Sequence, residues 1–269
     1  MKTIDLVIAG AAKAGTTSLE QMLIASGGKR IGRRKCIFGD ERETDEVSAV
    51  RQQLEEMDDC DFAFHVRADY IAQADAIKAI ANSTTAHVVM VCRDPSERLW
   101  SHFQHEYKKG RKYTATGFEC WLASPNGERA IVLSKYGNAL KLLLKHLNEL
   151  RLTVLFTEDL NDREKMEMVF KKWGLRWCQA RGIIKKNQGR MPRNSTVNRC
   201  LNQIIQPLPK GRLKNLLISF RNQFLTTAKN KPPMLPKEVR RALIDRFFAE
   251  DIQLFEKLSG HDTCWDVSD

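Results

Sequence analysis

The sequence predicts an α/β fold in three layers, with a central, mostly parallel sheet and helices on both faces. Three observations carry this. Short apolar runs alternate with stretches of helical periodicity. A glycine-containing loop follows the first run directly. The last long segment has the stripe of an amphipathic helix. The chain has 269 residues, 42% of them hydrophobic. That is enough to bury one sizeable core, so a single domain over residues 1–269 is expected.

Taken in order, Asp5 to Ala9 reads as a buried strand, and Leu19, Met22 and Leu23 then share one helical face. Asp61 to Val66, Ala86 to Cys92 and Leu152 to Phe156 read as further strands, with helical stretches between them, including Leu140 to Leu150. Continuous apolar strands separated by helices imply a parallel sheet covered on both sides. Residues 176–235 are rich in Arg, Lys, Asn and Gln and read as a loop-rich covering region of the same domain. Pro236 then opens a helix over residues 236–259. Val239, Leu243, Phe247, Ile252, Phe255 and Leu258 form its stripe, and Gly260 is its stop.

Charge and cysteines bound the function. A formal net charge of +11 suits an anionic partner: a nucleotide, a polyanion or a membrane surface. Seven cysteines include no C-x-x-C pair, so no metal site is expected. Their odd number and wide spread read as free thiols of a reducing compartment. The first apolar run, Leu6 to Ala9, is too short for a signal peptide or a membrane span, and a cytoplasmic protein is expected.

Two segments carry chemistry. After the first strand comes Gly10-Ala-Ala-Lys-Ala-Gly-Thr-Thr-Ser18. Small residues let a backbone wrap a ligand, and the helix that follows offers unpaired N–H groups and its positive end. Lys13 stands early, and no lysine lies between Gly15 and Thr16, which departs from the Gly-Lys-Ser/Thr ending of an NTPase loop. The second segment is Arg93-Asp-Pro-Ser-Glu-Arg-Leu-Trp-Ser101, after the third strand. Asp94 suits the N-cap, Pro95 the first helical position, and Glu97 a capping box. Arg93 at the strand end can fork onto a phosphate, and Ser101 lies two turns into the helix.

Together these segments resemble the sulfotransferase superfamily that uses 3′-phosphoadenosine 5′-phosphosulfate (PAPS), and the first loop gives the fold its P-loop-like character. The resemblance extends to Lys135-Tyr-Gly-Asn-Ala-Leu140, Thr157-Glu-Asp-Leu160, the Gly189-Arg190 loop and the tail near Trp265. It lies nearer the carbohydrate and bacterial branches. It implies that Lys13, Ala14, Gly15, Thr16, Thr17 and Ser18 hold the 5′-phosphosulfate. Lys13 would also be catalytic, stabilising charge on the bridging oxygen. Arg93 and Ser101 would hold the 3′-phosphate, with Gly189 and Arg190 closing over the nucleotide. Relatives carry a Lys-Glu pair where this chain has Lys35-Cys36, and Glu-Lys-Ser/Thr-Pro-x-Tyr where it has His65-Val-Arg-Ala-Asp-Tyr70. The usual base is therefore missing. His65 is the first candidate to replace it, with Asp40, Glu41 and Asp69 as others.

The resemblance implies an acceptor hydroxyl or amine, on a carbohydrate, glycolipid or small molecule, bound by loops within residues 29–60, 105–130 and 190–235. The co-product is adenosine 3′,5′-bisphosphate, and neither a metal nor a nucleic acid is expected. The competing readings are a P-loop kinase or NTPase, which would need a magnesium aspartate, and a catalytically degenerate PAPS- or polyanion-binding protein.

Overall fold

A computed structural model of the chain describes residues 2–33, 35–40, 42–108, 117–178, 191–192, 226–227 and 234–265. The chain divides into two compact units: Met1–Arg98, Ile131–Ile184 and Lys237–Asp269 form the first, Leu99–Ala130 and Lys185–Pro236 the second.

The first unit holds a parallel five-stranded sheet. Its strands are β1 (Leu6–Gly10), β2 (Lys29–Arg30), β3 (Ala63–Val66), β4 (His87–Cys92) and β5 (Leu152–Phe156), in the spatial order β2-β3-β1-β4-β5. All four strand pairings are parallel. Every residue of β1 and β3 is buried, so both faces of the central strands are covered, as the unbroken apolar runs require. The chain leaves β1 toward β3 and β2, then crosses to β4 on the other side. Loops leaving the C-terminal ends of β1 and β4 therefore flank the point where the strand order reverses, where open α/β sheets bind ligands.

Helices α1 (Thr16–Ala25), α2 (Thr44–Glu55), α3 (Ala74–Ser83) and α4 (Pro95–Lys108) follow the first strands. Leu19, Met22 and Leu23 of α1 are buried as their spacing predicts. Beyond α5 (Gly117–Leu122) and α6 (Pro125–Val132), α7 (Tyr136–His146) returns to the first unit, followed by α8 (Arg163–Lys172) after β5. The predicted helical run to Leu150 stops at His146 and resumes as a short 3₁₀ turn, Glu149–Arg151.

The C-terminal helix is not continuous. It is α9 (Lys237–Leu243), a π-helical turn (Ile244–Phe248) and α10 (Ala249–Ser259), ended by Gly260 at φ +69°. The wide turn advances the stripe by one residue, so Phe248 is buried where Phe247 was expected. Asp251 of α10 caps α7. Its carboxylate accepts from the backbone N–H groups of Gly137 (2.8 Å) and Asn138 (2.9 Å). A Cβ on Gly137 would stand 2.3 Å from the Asp251 carbonyl, so only glycine allows this approach.

In the second unit, Trp100, Phe103, Phe118 and Trp121 cluster edge-to-face and stacked, and the Trp121 indole donates to Glu106 (3.0 Å). Met191–Pro192 and Thr226–Thr227 form an antiparallel pair, β6 and β7. Within the predicted covering region, residues 179–190, 193–225 and 228–233 lie outside the described residues.

Candidate active site

The loop between β1 and α1 is held from three directions. The N–H of Ala11 donates to Val91 on β4 (2.8 Å), and that of Ala12 to the Ala68 carbonyl beyond β3 (3.0 Å). The Thr157 hydroxyl, just past β5, donates to the Ala14 carbonyl (2.9 Å). Two residues take left-handed backbone: Lys13 at φ +75° and Gly15 at φ +103°. Gly15 is the N-cap of α1 and supplies no side-chain cap. Among the described residues no backbone carbonyl takes the N–H of Gly15, Thr16 or Thr17. These donors, with the positive end of α1, could hold an anion. Lys13 sits within this curl and is partly exposed.

Two of the predicted contacts differ in detail. The N–H of Ala14 closes onto the Ala11 carbonyl (3.1 Å), and that of Ser18 onto Gly15 (2.8 Å). Ser18 therefore offers its hydroxyl and not its N–H.

The Arg93 turn leaves β4 beside this loop. Asp94 caps α4 as predicted: its carboxylate accepts from the N–H groups of Ser96 (2.9 Å) and Glu97 (3.1 Å). Its other oxygen takes Arg240 of α9 (2.8 Å), and Arg240 also donates to the Trp265 carbonyl (2.7 Å). Glu97 does not complete a capping box. It accepts both Nε (3.1 Å) and Nη2 (2.5 Å) of Arg93, because the guanidinium lies one turn away. Arg93 is thus a half-buried cation whose partner is itself partly exposed. Ser101 lies on α4 and is partly exposed. Gly189, Arg190 and Glu41 lie outside the described residues.

Two residues at the first loop went unassigned in the sequence. Arg98 is wholly buried, with Nε donating to the Ala12 carbonyl (2.8 Å) and Nη1 to the Ser134 hydroxyl (2.7 Å). Burial pushes its guanidinium down to about 10, still charged at neutral pH. Thr157 is the other. The only sequence sign of either was the repeat of arginine in Arg93-Asp-Pro-Ser-Glu-Arg98 and the Thr157-Glu-Asp-Leu160 stretch.

The candidate bases separate sharply. His65 is 0% exposed in β3. Its Nδ1 meets the Ile31 carbonyl (3.2 Å) and its Nε2 the Tyr70 hydroxyl (3.4 Å), which in turn accepts the Ile37 N–H (2.9 Å). With Nδ1 protonated, Nε2 accepts from Tyr70, and no ring nitrogen faces solvent. Burial pushes its imidazolium down to about 4. This geometry corrects the expectation of a base: His65 holds the segment after β2 against the sheet. Asp69, by contrast, lies past the C-terminal end of β3, in the turn whose Ala68 carbonyl accepts from the Ala12 N–H of the first loop, paired with Arg67 (Nη2, 3.0 Å). Asp40 is exposed.

The depressed His65 value sets a pH dependence. Unfolded, the imidazole titrates near 6.5; folded, near 4. The stabilisation is fully present above pH 6.5 and is lost as pH falls through 4, up to about 3 kcal/mol. Urea unfolding at pH 7, 5.5 and 4.5 should show this loss, reduced in His65→Gln. The same variant should keep activity within about fivefold, whereas loss of a general base costs about 10²-fold or more.

A tightly curled loop carrying Lys13 after the central strand of a parallel sheet, with Arg93 ending the neighbouring strand, marks an α/β fold of the P-loop-like kind. Residues 3–171 match the family model described as the sulfotransferase domain. The chain belongs to the sulfotransferase family, and it is an enzyme that transfers a sulfuryl group. Among solved structures it is similar to a sulfotransferase from Alicyclobacillus acidocaldarius, at 15% identity and a TM-score of 0.68, over 99% of this chain and 100% of the other. That likeness shows the fold. A sulfotransferase domain from the curacin biosynthetic pathway aligns at 11% identity and a TM-score of 0.44, over 84% of this chain and 100% of the other. No curated protein sequence matches. Among the described residues no helix is long and apolar enough to cross a membrane, and no group of three or more His, Cys, Asp or Glu could hold a metal ion.

Proposed function

We propose that the chain transfers the sulfuryl group of PAPS to a hydroxyl or amine of a carbohydrate, glycolipid or small molecule. The observation that carries this reading is the first loop: the N–H groups of Gly15, Thr16 and Thr17 meet no backbone carbonyl among the described residues, and Lys13 stands two residues before Gly15 and not at an NTPase position. The open N–H groups of Gly15, Thr16 and Thr17, with the hydroxyls of Thr16, Thr17 and Ser18, would hold the 5′-phosphosulfate. Arg93 exchanges Glu97 for the 3′-phosphate, joined by Ser101 and, from the covering region, Gly189 and Arg190.

The reaction is an in-line displacement. The acceptor oxygen or nitrogen forms a bond to sulfur, the bond from sulfur to the bridging oxygen breaks, and adenosine 3′,5′-bisphosphate leaves with the electron pair. Lys13 neutralises charge on the bridging oxygen. The acceptor proton passes to a carboxylate, for which Asp69 has the better position and Asp40 is the second choice. No disulfide joins the described cysteines, which suits a cytoplasmic enzyme.

The test is incubation with PAPS labelled on sulfur and a panel of hydroxyl and amine acceptors. Label in an acceptor supports the reading. Transfer from ATP labelled at the γ-phosphate, with none from PAPS, would overturn it in favour of a kinase.

A further inference from the structure

A loop can present donors to an anion only if its carbonyls are engaged elsewhere, since a carbonyl facing a phosphate repels it. Two of the carbonyls in this loop are satisfied locally: Ala11 takes the Ala14 N–H, and Gly15 takes Ser18 (2.8 Å) and Leu19 (3.1 Å). Two more, those of Ala14 and Ala12, take side chains from distant segments. Thr157 takes Ala14, and Arg98 takes Ala12 across 86 positions of sequence.

Arg98 is built for a fixed position. It is fully buried, and its second bond goes to Ser134, itself 1% exposed. A planar guanidinium tethered at both ends cannot swing. A neutral donor could satisfy one carbonyl without the cost of burying a cation. The charge has a further effect: in a low-dielectric interior it raises the positive potential behind the loop.

We propose that Arg98 is a positioning residue for the donor nucleotide, turning the Ala12 carbonyl away from the 5′-phosphate and placing a buried positive charge behind the loop. It touches no substrate atom. The proposal rests on the placement of the 5′-phosphate in this loop.

The test is calorimetry with two probes, adenosine 3′,5′-bisphosphate and adenosine 3′-monophosphate, on the wild type, Arg98→Met, Arg98→Lys and Ser134→Ala. The second probe lacks the group that Arg98 serves. Arg98→Met should weaken the bisphosphate by about tenfold or more, as expected for loss of a charged hydrogen bond. The monophosphate should change less than about twofold, since its contacts stay intact. Arg98→Lys, which keeps the charge but reaches one acceptor, should recover part of the loss. If Arg98→Met does not fold, Arg98→Lys and Ser134→Ala decide, each with a selective loss of about threefold to tenfold for the bisphosphate. Equal losses for both probes, or none, in the folded variants would overturn the proposal and leave the functional reading standing. A wild type that fails to prefer the bisphosphate overturns the placement of the 5′-phosphate, and the role of Arg98 with it.

Discussion

Lys13→Met is expected to lower the turnover number for sulfuryl transfer by about 10²- to 10³-fold, the usual cost of removing a charge aimed at a developing anion. The affinity for adenosine 3′,5′-bisphosphate should fall far less, because the N–H groups of Gly15 to Thr17 do not depend on that side chain. The backbone at Lys13 adds a second arm. At φ +75° an L-residue is strained by about 1–2 kcal/mol, and glycine is not. Lys13→Gly should therefore melt no lower than Lys13→Met while being equally inactive. Steady-state kinetics with a melting curve on both variants checks this. Turnover within threefold of wild type would remove Lys13 from the chemistry.

Gly15→Ala is expected to cost stability and binding together. Gly15 combines φ +103° with a crowded position: an added Cβ would stand 2.6 Å from Cδ1 of Leu160, itself buried. Backbone strain and overpacking each contribute about 1–2 kcal/mol. Leu160 is three residues past Thr157, so the strain falls on the segment that holds the Ala14 carbonyl. Bisphosphate affinity should drop by about tenfold or more, because the N–H groups that the loop aims would be displaced. Thermal unfolding and calorimetry on the purified variant test this, and wild-type affinity would mean that the loop does not bind the ligand.

The sheet was legible because four of its five strands are written as short, mostly apolar runs, fully buried in β1 and β3 and half-buried at the β5 edge. The fifth, Lys29–Arg30, is two exposed residues at an edge and carries no such pattern. The first loop and the Asp94 cap were legible because small residues, Pro and Asp act locally. What escaped was set by distance or by a single residue of phase. Arg98 drew no assignment, because its partner Ala12 lies 86 residues away in the sequence. The π turn moves the buried face from Phe247 to Phe248, a shift that periodicity over six residues does not resolve. His65 misleads for the reason that makes the strand readable: both faces are buried, so a polar side chain there turns into the protein.

In the proposed site, the loop around Lys13 and the turn at Arg93 hold one nucleotide with phosphates at both its 3′ and 5′ positions. The most direct measurement is calorimetric titration of the wild type and Arg93→Ala with adenosine 3′,5′-bisphosphate, alongside ATP with magnesium. The expected result is micromolar binding of the bisphosphate, weak binding of ATP, and a loss of about 10- to 100-fold in Arg93→Ala, the range for a desolvated bond to a charged group. Preference for magnesium ATP, or bisphosphate affinity indifferent to Arg93, would contradict it.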